Sequence, residues 1–482
     1  MKKSFGVVAV SAVLVFSLSG CSLSSGGEGE GAAASSDSAA SSAAVSASAS
    51  VSAEASLDID LSAMDFDYTD RDKDASYDAA SATIVALADG ASGVSGADSG
   101  AGATVSSDGN TVTITAAGTY VVSGTLAQGQ LAVDAGDDDK VQLVLDGASV
   151  HNENGPAVYV KNADKVFVTL ADGSANTLSD GASYVLDDGS DEPYATLFSK
   201  ADLTLNGSGS LEVTSAYRHA VCSKDDLVVT GGTYTINAVE DGLRGRDCVK
   251  ICDGAFSITA GEDAVKSNND EDGARGFVCI DGGTFDITAG DDAVHGETVL
   301  RVTGGVVDVA SCTEGLEAEQ VYVNGGEVRI VASDDGVNAS ARDTVTGGTD
   351  NVPGTTEGSC LLQINDGSVE VDSTGDGLDS NGNLEINGGT VVLHVPDNPD
   401  DTVIDCDGAA SINGGTVTAV AADGTQTQVT ADNLAQFTQM GGMGDRGMGG
   451  ADGDPLAGEG GEAGGRGGMG DRGMGGAPSG RM

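Results

Sequence analysis

The stretches Leu227-Val-Val-Thr-Gly-Gly-Thr-Tyr-Thr-Ile236, Val249-Lys-Ile-Cys-Asp-Gly-Ala-Phe-Ser-Ile258 and Val278-Cys-Ile-Asp-Gly-Gly-Thr-Phe-Asp-Ile287 share one pattern. It returns at Leu300–Val309, Val321–Ile330, Leu362–Val371, Leu384–Leu393 and Ala410–Ala419. Each copy is a short strand with aliphatic residues at alternate positions, a glycine corner, and a second alternating strand. Most copies lie 21 or 22 residues apart. That spacing is too short for a βαβ unit with its helix, and the blades of a β-propeller need about 40 residues or more. One such turn cannot bury its own apolar face, so successive turns must stack, each strand parallel to and in register with its equivalent. The expected fold is all-β, a right-handed parallel β-helix with rungs of about 22 residues. The hand follows from strand twist and the crossover rule. Two inward columns are predicted: Leu227/Val249/Val278/Leu300/Val321 and Tyr234/Phe256/Phe285/Val307/Val328. The residue before the corner is Asn at 324, 365, 387 and 413, which predicts a side-chain amide ladder.

Around this body the composition changes sharply. Lys2 and Lys3 precede an apolar run, Val7 to Leu18, that is too short to span a bilayer as a mature helix. The run ends in Leu18-Ser-Gly-Cys21, a bacterial lipobox whose cysteine would carry the lipid. Residues 1–21 therefore read as a lipoprotein signal peptide. Residues 22–61, rich in Ser, Ala and Gly, read as a flexible tether. Residues 62–438 form the solenoid body, with a loose lead-in up to about 110, and 439–482 read as a Gly/Met-rich disordered tail. Membrane association is expected only through the lipid, which places the body outside the cell, most simply as a monomer.

Charge narrows the partners. The chain has 75 acidic against 22 Lys and Arg residues, a net charge of −53. Nucleic acid and anionic membrane surfaces are excluded, and bound cations are favoured. There is no Trp, so aromatic platforms for sugars must come from few positions. Between the second strand of one rung and the first of the next lies a recurring tetrapeptide. It reads Asp241-Gly-Leu-Arg244, Asp263-Ala-Val-Lys266, Asp292-Ala-Val-His295, Glu314-Gly-Leu-Glu317, Asp335-Gly-Val-Asn338 and Asp376-Gly-Leu-Asp379. Stacked rungs would bring the leading acids into one file at a spacing of roughly 4.8 Å. Neighbouring charges there repel by roughly 0.9 kcal/mol in water and about 3.5 kcal/mol at an effective dielectric of 20. Arg244 and Lys266 relieve two rungs. For the others a hard divalent cation with oxygen ligands is the natural remedy, and calcium is the expected cofactor. The insertion Ser267-Asn-Asn-Asp-Glu-Asp-Gly-Ala274 offers Asn268, Asn269, Asp270 and Asp272 as further oxygen ligands, without full EF-hand spacing. The metal candidates are thus Asp241, Asp263, Asn268, Asp270, Asp272, Asp292, Glu314, Asp335 and Asp376.

The chemistry of an enzyme is harder to find. Beyond Cys21 there are seven cysteines, an odd number with no CxxC pair, which argues for free thiols and against zinc. Four scattered histidines define no Ser-His-Asp arrangement. A pectate lyase-like enzyme would use calcium with an Arg or Lys base, and Arg218, Arg244 and Lys266 lie near the acids. A hydrolase would need one carboxylate pair at defined separation, and the file offers too many. The excess favours repetitive binding over a unique catalytic centre. An adhesin or spacer that binds no glycan is the other alternative.

Several longer motifs carry a resemblance. They are Gly118-Thr-Tyr-Val-Val-Ser-Gly-Thr-Leu126, Asp137-Asp-Asp-Lys-Val-Gln-Leu-Val-Leu-Asp146, Val160–Asp164 and Ala171–Asp180, followed by Lys266–Asp272, Ser333–Asn338 and Gly377–Gly382. Over residues 62–425 the chain resembles the bacterial carbohydrate-binding-domain lipoproteins. The resemblance implies a β-helix that binds calcium and acidic plant polysaccharide such as polygalacturonate, or cellulose, without established catalysis. His219 and Thr402 stand where that family has an acid, so the resemblance implies no metal at those two rungs.

Overall fold

A computed structural model describes residues 59–96, 102–341, 360–398 and 401–440. All of them fall in the compact unit Ser56–Met482. The signal peptide with Cys21, most of the tether, and the tail beyond residue 440 lie outside the described residues.

The described chain is nearly all β, one long and mostly parallel sheet in which each strand pairs with its equivalents in the turns before and after. The column Leu227–Val249–Val278–Leu300–Val321 is continuous and runs on through Leu362, Leu384 and Ala410. Tyr234–Phe256–Phe285–Val307–Val328 forms the second expected wall. Its rings stack at 5.1 and 4.6 Å. This pairing is compatible with a β-helix. Its interior holds Val, Leu, Ile and Ala side chains that are almost wholly buried, each worth about 1.5–3 kcal/mol when large and fully buried. At the corners Gly232, Gly283 and Gly326 have φ of 108°, 94° and 84°, a region that side chains with a Cβ avoid. The amide ladder is present: Asn365, Asn387 and Asn413 each donate to the Asn before them, at 2.7, 2.9 and 2.8 Å. Antiparallel pairs occur at the two ends, Thr83–Ala88 with Gly93–Gly96, Ala103–Val105 with Thr111–Ile114, and Thr416–Val420 with Gln426–Val429. Cys222, Cys248, Cys252, Cys279, Cys312 and Cys406 carry free thiols.

Ordered structure reaches both ends of the described body. At the C-terminal end Thr438–Met440 pairs with Ile404–Cys406, so residues 439 and 440 continue the sheet. At the N-terminal end the lead-in is not loose but a strap across one outer wall, and it begins by Ile59. Met64 covers Cys248, Phe277 and Val299, and Phe66 meets the edge of Phe277 at 4.9 Å. Lys250 Nζ donates to the carbonyls of Asp65 and Asp67 at 3.0 and 2.9 Å. A capping box between Thr69 and Asp72 starts the single helical turn Asp70–Lys73. Asp72 is buried against Lys165 at 2.8 Å and accepts from Thr204 at 2.6 Å. Burial alone would raise its carboxyl, but Lys165, Thr204 and Thr69 hold it down at about 2. The wall's outward positions mix apolar Cys248, Phe277 and Val299 with polar Lys165, Thr204 and Lys250, and the strap covers the first and bonds the second. Tyr68 Oη donates to Asp281 at 3.0 Å. Tyr68→Phe keeps the ring and leaves that carboxylate one donor short, so it should lower unfolding stability by about 1.5 kcal/mol in urea. Unchanged stability would place the strap's attachment elsewhere.

Candidate functional site

Two adjacent files of side chains run along one wall. In the acid file, His219, Asp241, Asp263, Asp292, Glu314, Asp335, Asp376 and Thr402 occupy successive rungs. Most of its carboxylates do something the sequence does not reveal, since they accept the backbone N–H of the next member. Asp263 Oδ1 accepts from Asp292 at 2.9 Å, Asp335 Oδ1 from Asp376 at 2.6 Å, and Asp376 Oδ1 from Thr402 at 2.5 Å. Asp241 Oδ1 takes a longer bond from Asp263 at 3.4 Å. His219 begins the file by accepting from Asp241 N through Nδ1 at 3.1 Å. One oxygen of each of these acids is thus committed to the stack, and the other decides its chemistry.

The partner file supplies the answer. It runs Cys222, Arg244, Lys266, His295, Glu317, Asn338, Asp379 and then Asp405. Its character turns from basic to acidic along the solenoid. Asp241, wholly buried, is bound by Arg244 at 2.6 Å. Burial would raise its carboxyl, yet His219, Arg244 and Lys266 hold it well below the usual carboxylate range. Lys266 contacts Asp263 in the same way, and His295 Nδ1 lies 2.9 Å from Asp292 and 2.7 Å from Glu317. Although burial opposes its charge, Asp292, Glu297 and Glu317 push the imidazole's pKa far up. These first three acids are already paired with protonated side chains. These contacts compete with a metal at Asp241 and Asp263. Asp263, Asp291 and Asp292, and likewise Asp292, His295 and Glu317, still place one ligand atom each within 4.8 Å of the others, and burial, Glu317 and Asp263 push the Asp292 carboxyl well up.

Beyond Glu317 the partner file holds no cation, its members being Asn338, Asp379 and Asp405. From Asp343 to Met440 the chain has sixteen acids and neither Lys nor Arg. Glu314 accepts only the Asn338 amide, at 2.9 Å, and its carboxyl is raised by burial and by Glu317 and Asp292. Burial with Asp379 pushes Asp335 up to about 8, and burial with Asp405 and Asp376 pushes Asp379 up to about 7. One oxygen each of Asp376, Asp379 and Asp405 lies within 4.8 Å of the others, all three residues half-buried. Next to them Asn338 Oδ1 is buried without a hydrogen-bond partner. Asp379 and Asp405 are functional candidates that sequence reasoning missed. The fourth letter of each tetrapeptide and the loss of basic residues after Arg342 were the available signals.

The insertion does not gather its oxygens. Asn269 points inward, donates to Asp247 at 2.6 Å, and accepts the amides of Glu271 and Asp272 at 3.0 and 3.1 Å. Asp272 accepts from Ala274 N and faces Arg275 at 3.4 Å, while Asp270 is exposed. Asp270 and Asp272 belong to no cluster of three acids within common ligand reach among the described residues. Asn269 and Asp272 satisfy the turn, as short polar residues in loops commonly do.

The profile of the carbohydrate-binding domain-containing protein family matches residues 108–358, more than half of the chain. The chain belongs to that family. A carbohydrate-binding domain-containing protein of Acetivibrio thermocellus is 37% identical over 128 residues, 26% of this chain and 45% of the relative, so the chain spans less than half of that protein. A solved polysaccharide lyase-like protein from C. thermocellum, in a gadolinium derivative, has 33% identity and a TM-score of 0.46, covering 51% of this chain and 93% of its own. The family match takes in Asp241 through Asp335 and ends before Asp376, Asp379 and Asp405. This carbohydrate-binding domain protein thus carries the Asp376, Asp379 and Asp405 cluster outside the matched segment, while Glu314 and Asp335 lie within it.

Proposed function

We propose that this chain is a lipid-anchored cell-surface protein that binds acidic polysaccharide through calcium held at the acidic end of the two files, on a right-handed β-helix. The supporting observation is the cluster of Asp376, Asp379 and Asp405, three oxygen donors with no cation to pair them. Three carboxylates fit a hard cation that takes six to eight oxygens, and they leave coordination positions for a sugar carboxylate. Such bridging resolves the conflict between a net charge of −53 and an anionic ligand. Binding without cleavage is supported by Arg244 and Lys266. Each is tied to an aspartate, and Lys266 is held protonated by Asp263 and Asp241 against the effect of burial, so neither is a free base. The test is retention on polygalacturonate with calcium and with chelator. Chelation should weaken retention about tenfold or more. Asp376→Asn with Asp379→Asn should have the same effect in calcium, with the β-rich circular dichroism unchanged. Asp263→Asn should change retention little. Full retention by the double variant, or release of unsaturated uronate by the unaltered protein, would overturn this reading.

A further inference from the structure

The same wall has a second distinctive end. In a chain with nine tyrosines, four gather in the rungs just before Asp241. Tyr184 and Tyr217 stack at 4.3 Å with 24° between their planes. Tyr184 is fixed by its hydroxyl, which donates to Asp180 at 2.6 Å. That buried carboxylate is itself held by Thr196 Oγ1 at 2.8 Å and the Ala216 amide at 2.6 Å. Tyr194 and Tyr159 both meet the edge of the buried Phe198, at 4.7 and 5.8 Å. Each of the latter two carries a cation: the Arg218 guanidinium lies 5.4 Å from the Tyr194 ring centre and Lys161 Nζ 5.3 Å from that of Tyr159. All four tyrosines are half-buried, Lys161 is exposed, and the Arg218 side chain is 40% exposed. Arg218 also touches Glu240 at 2.6 Å, so its charge is shared; Lys161 stands over its ring with no carboxylate partner among the described residues.

The patch is continuous with the two files. Phe198 pairs with Cys222, which opens the partner file, and the Arg218 carbonyl accepts the Glu240 amide at 3.0 Å. One strip therefore begins with aromatic rings and cations and ends with bare carboxylates. From Phe198 to Asp405 it covers eight rung steps, about 38 Å at the usual strand spacing.

We propose that the turn bearing Tyr184, Tyr194, Tyr217 and Arg218, with Lys161 over Tyr159 beside it, is a metal-independent subsite for a sugar chain that carries carboxylates. It rests on the carbohydrate-binding reading above and assigns that reading a second contact. Held aromatic faces suit the apolar faces of sugar rings, and Arg218 and Lys161 offer donors that a carboxylate accepts without a bridging ion. The two ends would recognise the same polymer by opposite means, one directly and the other through calcium. A short oligomer reaches only one end, whereas a chain spanning about 38 Å reaches both and gains from their combination.

The experiment titrates the full chain, in chelator, with a trigalacturonate and with a neutral cellotriose. The chain has no Trp, so tyrosine emission reports directly. The unaltered protein should bind trigalacturonate saturably and cellotriose at least about tenfold more weakly. Tyr217→Ala and Arg218→Gln should each weaken trigalacturonate binding by about tenfold. Tyr217→Phe, which keeps the stacked ring, should retain it, and so should Asp376→Asn with Asp379→Asn. Thermal unfolding of each variant verifies the fold. No saturable binding by the folded protein in chelator, equal binding of the neutral sugar, or unaltered binding by Tyr217→Ala and Arg218→Gln would overturn the subsite. If polygalacturonate retention in calcium survives those results, only the subsite fails. If retention is absent in calcium as well, the carbohydrate-binding reading fails with it.

Discussion

A Val302→Asp variant should fail to reach the folded state, or lose more than about 4 kcal/mol of stability. Val302 is completely buried and stacks between Ile280 of the preceding rung and Val323 of the next. An aspartate there places a carboxylate among aliphatic side chains with no cation in reach. Losing the valine's transfer energy adds about 2 kcal/mol, and the charge must be desolvated or neutralised at a further cost of several kcal/mol. The neighbouring Arg301 is the informative control. From the alternation alone, Arg301 points outward and its replacement by Asp should cost little. The strap changes that expectation. Arg301 lies 4.0 Å over the Phe66 ring and 3.4 Å from Asp281, so Arg301→Asp loses a cation–π contact and sets two carboxylates together. An intermediate cost of about 1–3 kcal/mol is expected. Urea unfolding followed by circular dichroism measures both. Equal effects of the two substitutions would mean that the rung register is wrong.

Arg301 also marks the limit of what the sequence discloses. The register of the rungs was legible because the pattern is written out many times, and a one-residue slip would turn every inward side chain outward. Leu227, Val249 and Val278 announce one another, and so do the four asparagines of the amide ladder. The strap is written once. Its contacts join residues far apart in sequence, as Asp72 with Thr204 and Tyr68 with Asp281, and no period points to them. The acid file was half legible. Its leading acids repeat, so the file could be read, but their state of charge depends on the neighbouring file, whose members differ at every rung. At the insertion composition suggested calcium ligands but could not show that Asp272 would accept an amide of its own turn while Asp270 stays exposed.

The metal-free protein should become more stable on acidification from pH 8 to about 5, and millimolar calcium should remove that dependence by stabilising the neutral protein. Asp335 and Asp379 are raised to about 8 and 7 in the folded chain, against about 3.9 for an unfolded aspartate. Glu314 is raised too, by burial, Glu317 and Asp292. A folded-state pKa above the unfolded one means that the folded protein holds more protons between those two values. Unfolding releases them, so the stabilising contribution is fully present below about pH 4 and is lost as pH rises through about 7 to 8. Acids of the opposite kind limit the gain. Asp72, held at about 2 by Lys165 and its hydrogen bonds against burial, loses stability only as pH falls below about 4, so the optimum without metal lies near pH 5. On the proposed reading, calcium would take the same oxygens in place of protons and would bind the folded stack alone. Each site filled at a hundred times its Kd contributes about 2.7 kcal/mol, which should raise the thermal midpoint at pH 7.5 by several degrees. Asp376→Asn with Asp379→Asn should abolish the calcium effect and flatten the acid gain, because the repulsion has been removed by mutation instead. Differential scanning calorimetry at pH 5 and 7.5, in chelator and in calcium, measures all four conditions. A calcium shift that persists in the double variant would move the metal away from Asp376, Asp379 and Asp405. A midpoint independent of both pH and calcium would mean that the carboxylates at the acidic end are neither protonated nor metal-bound in the folded chain.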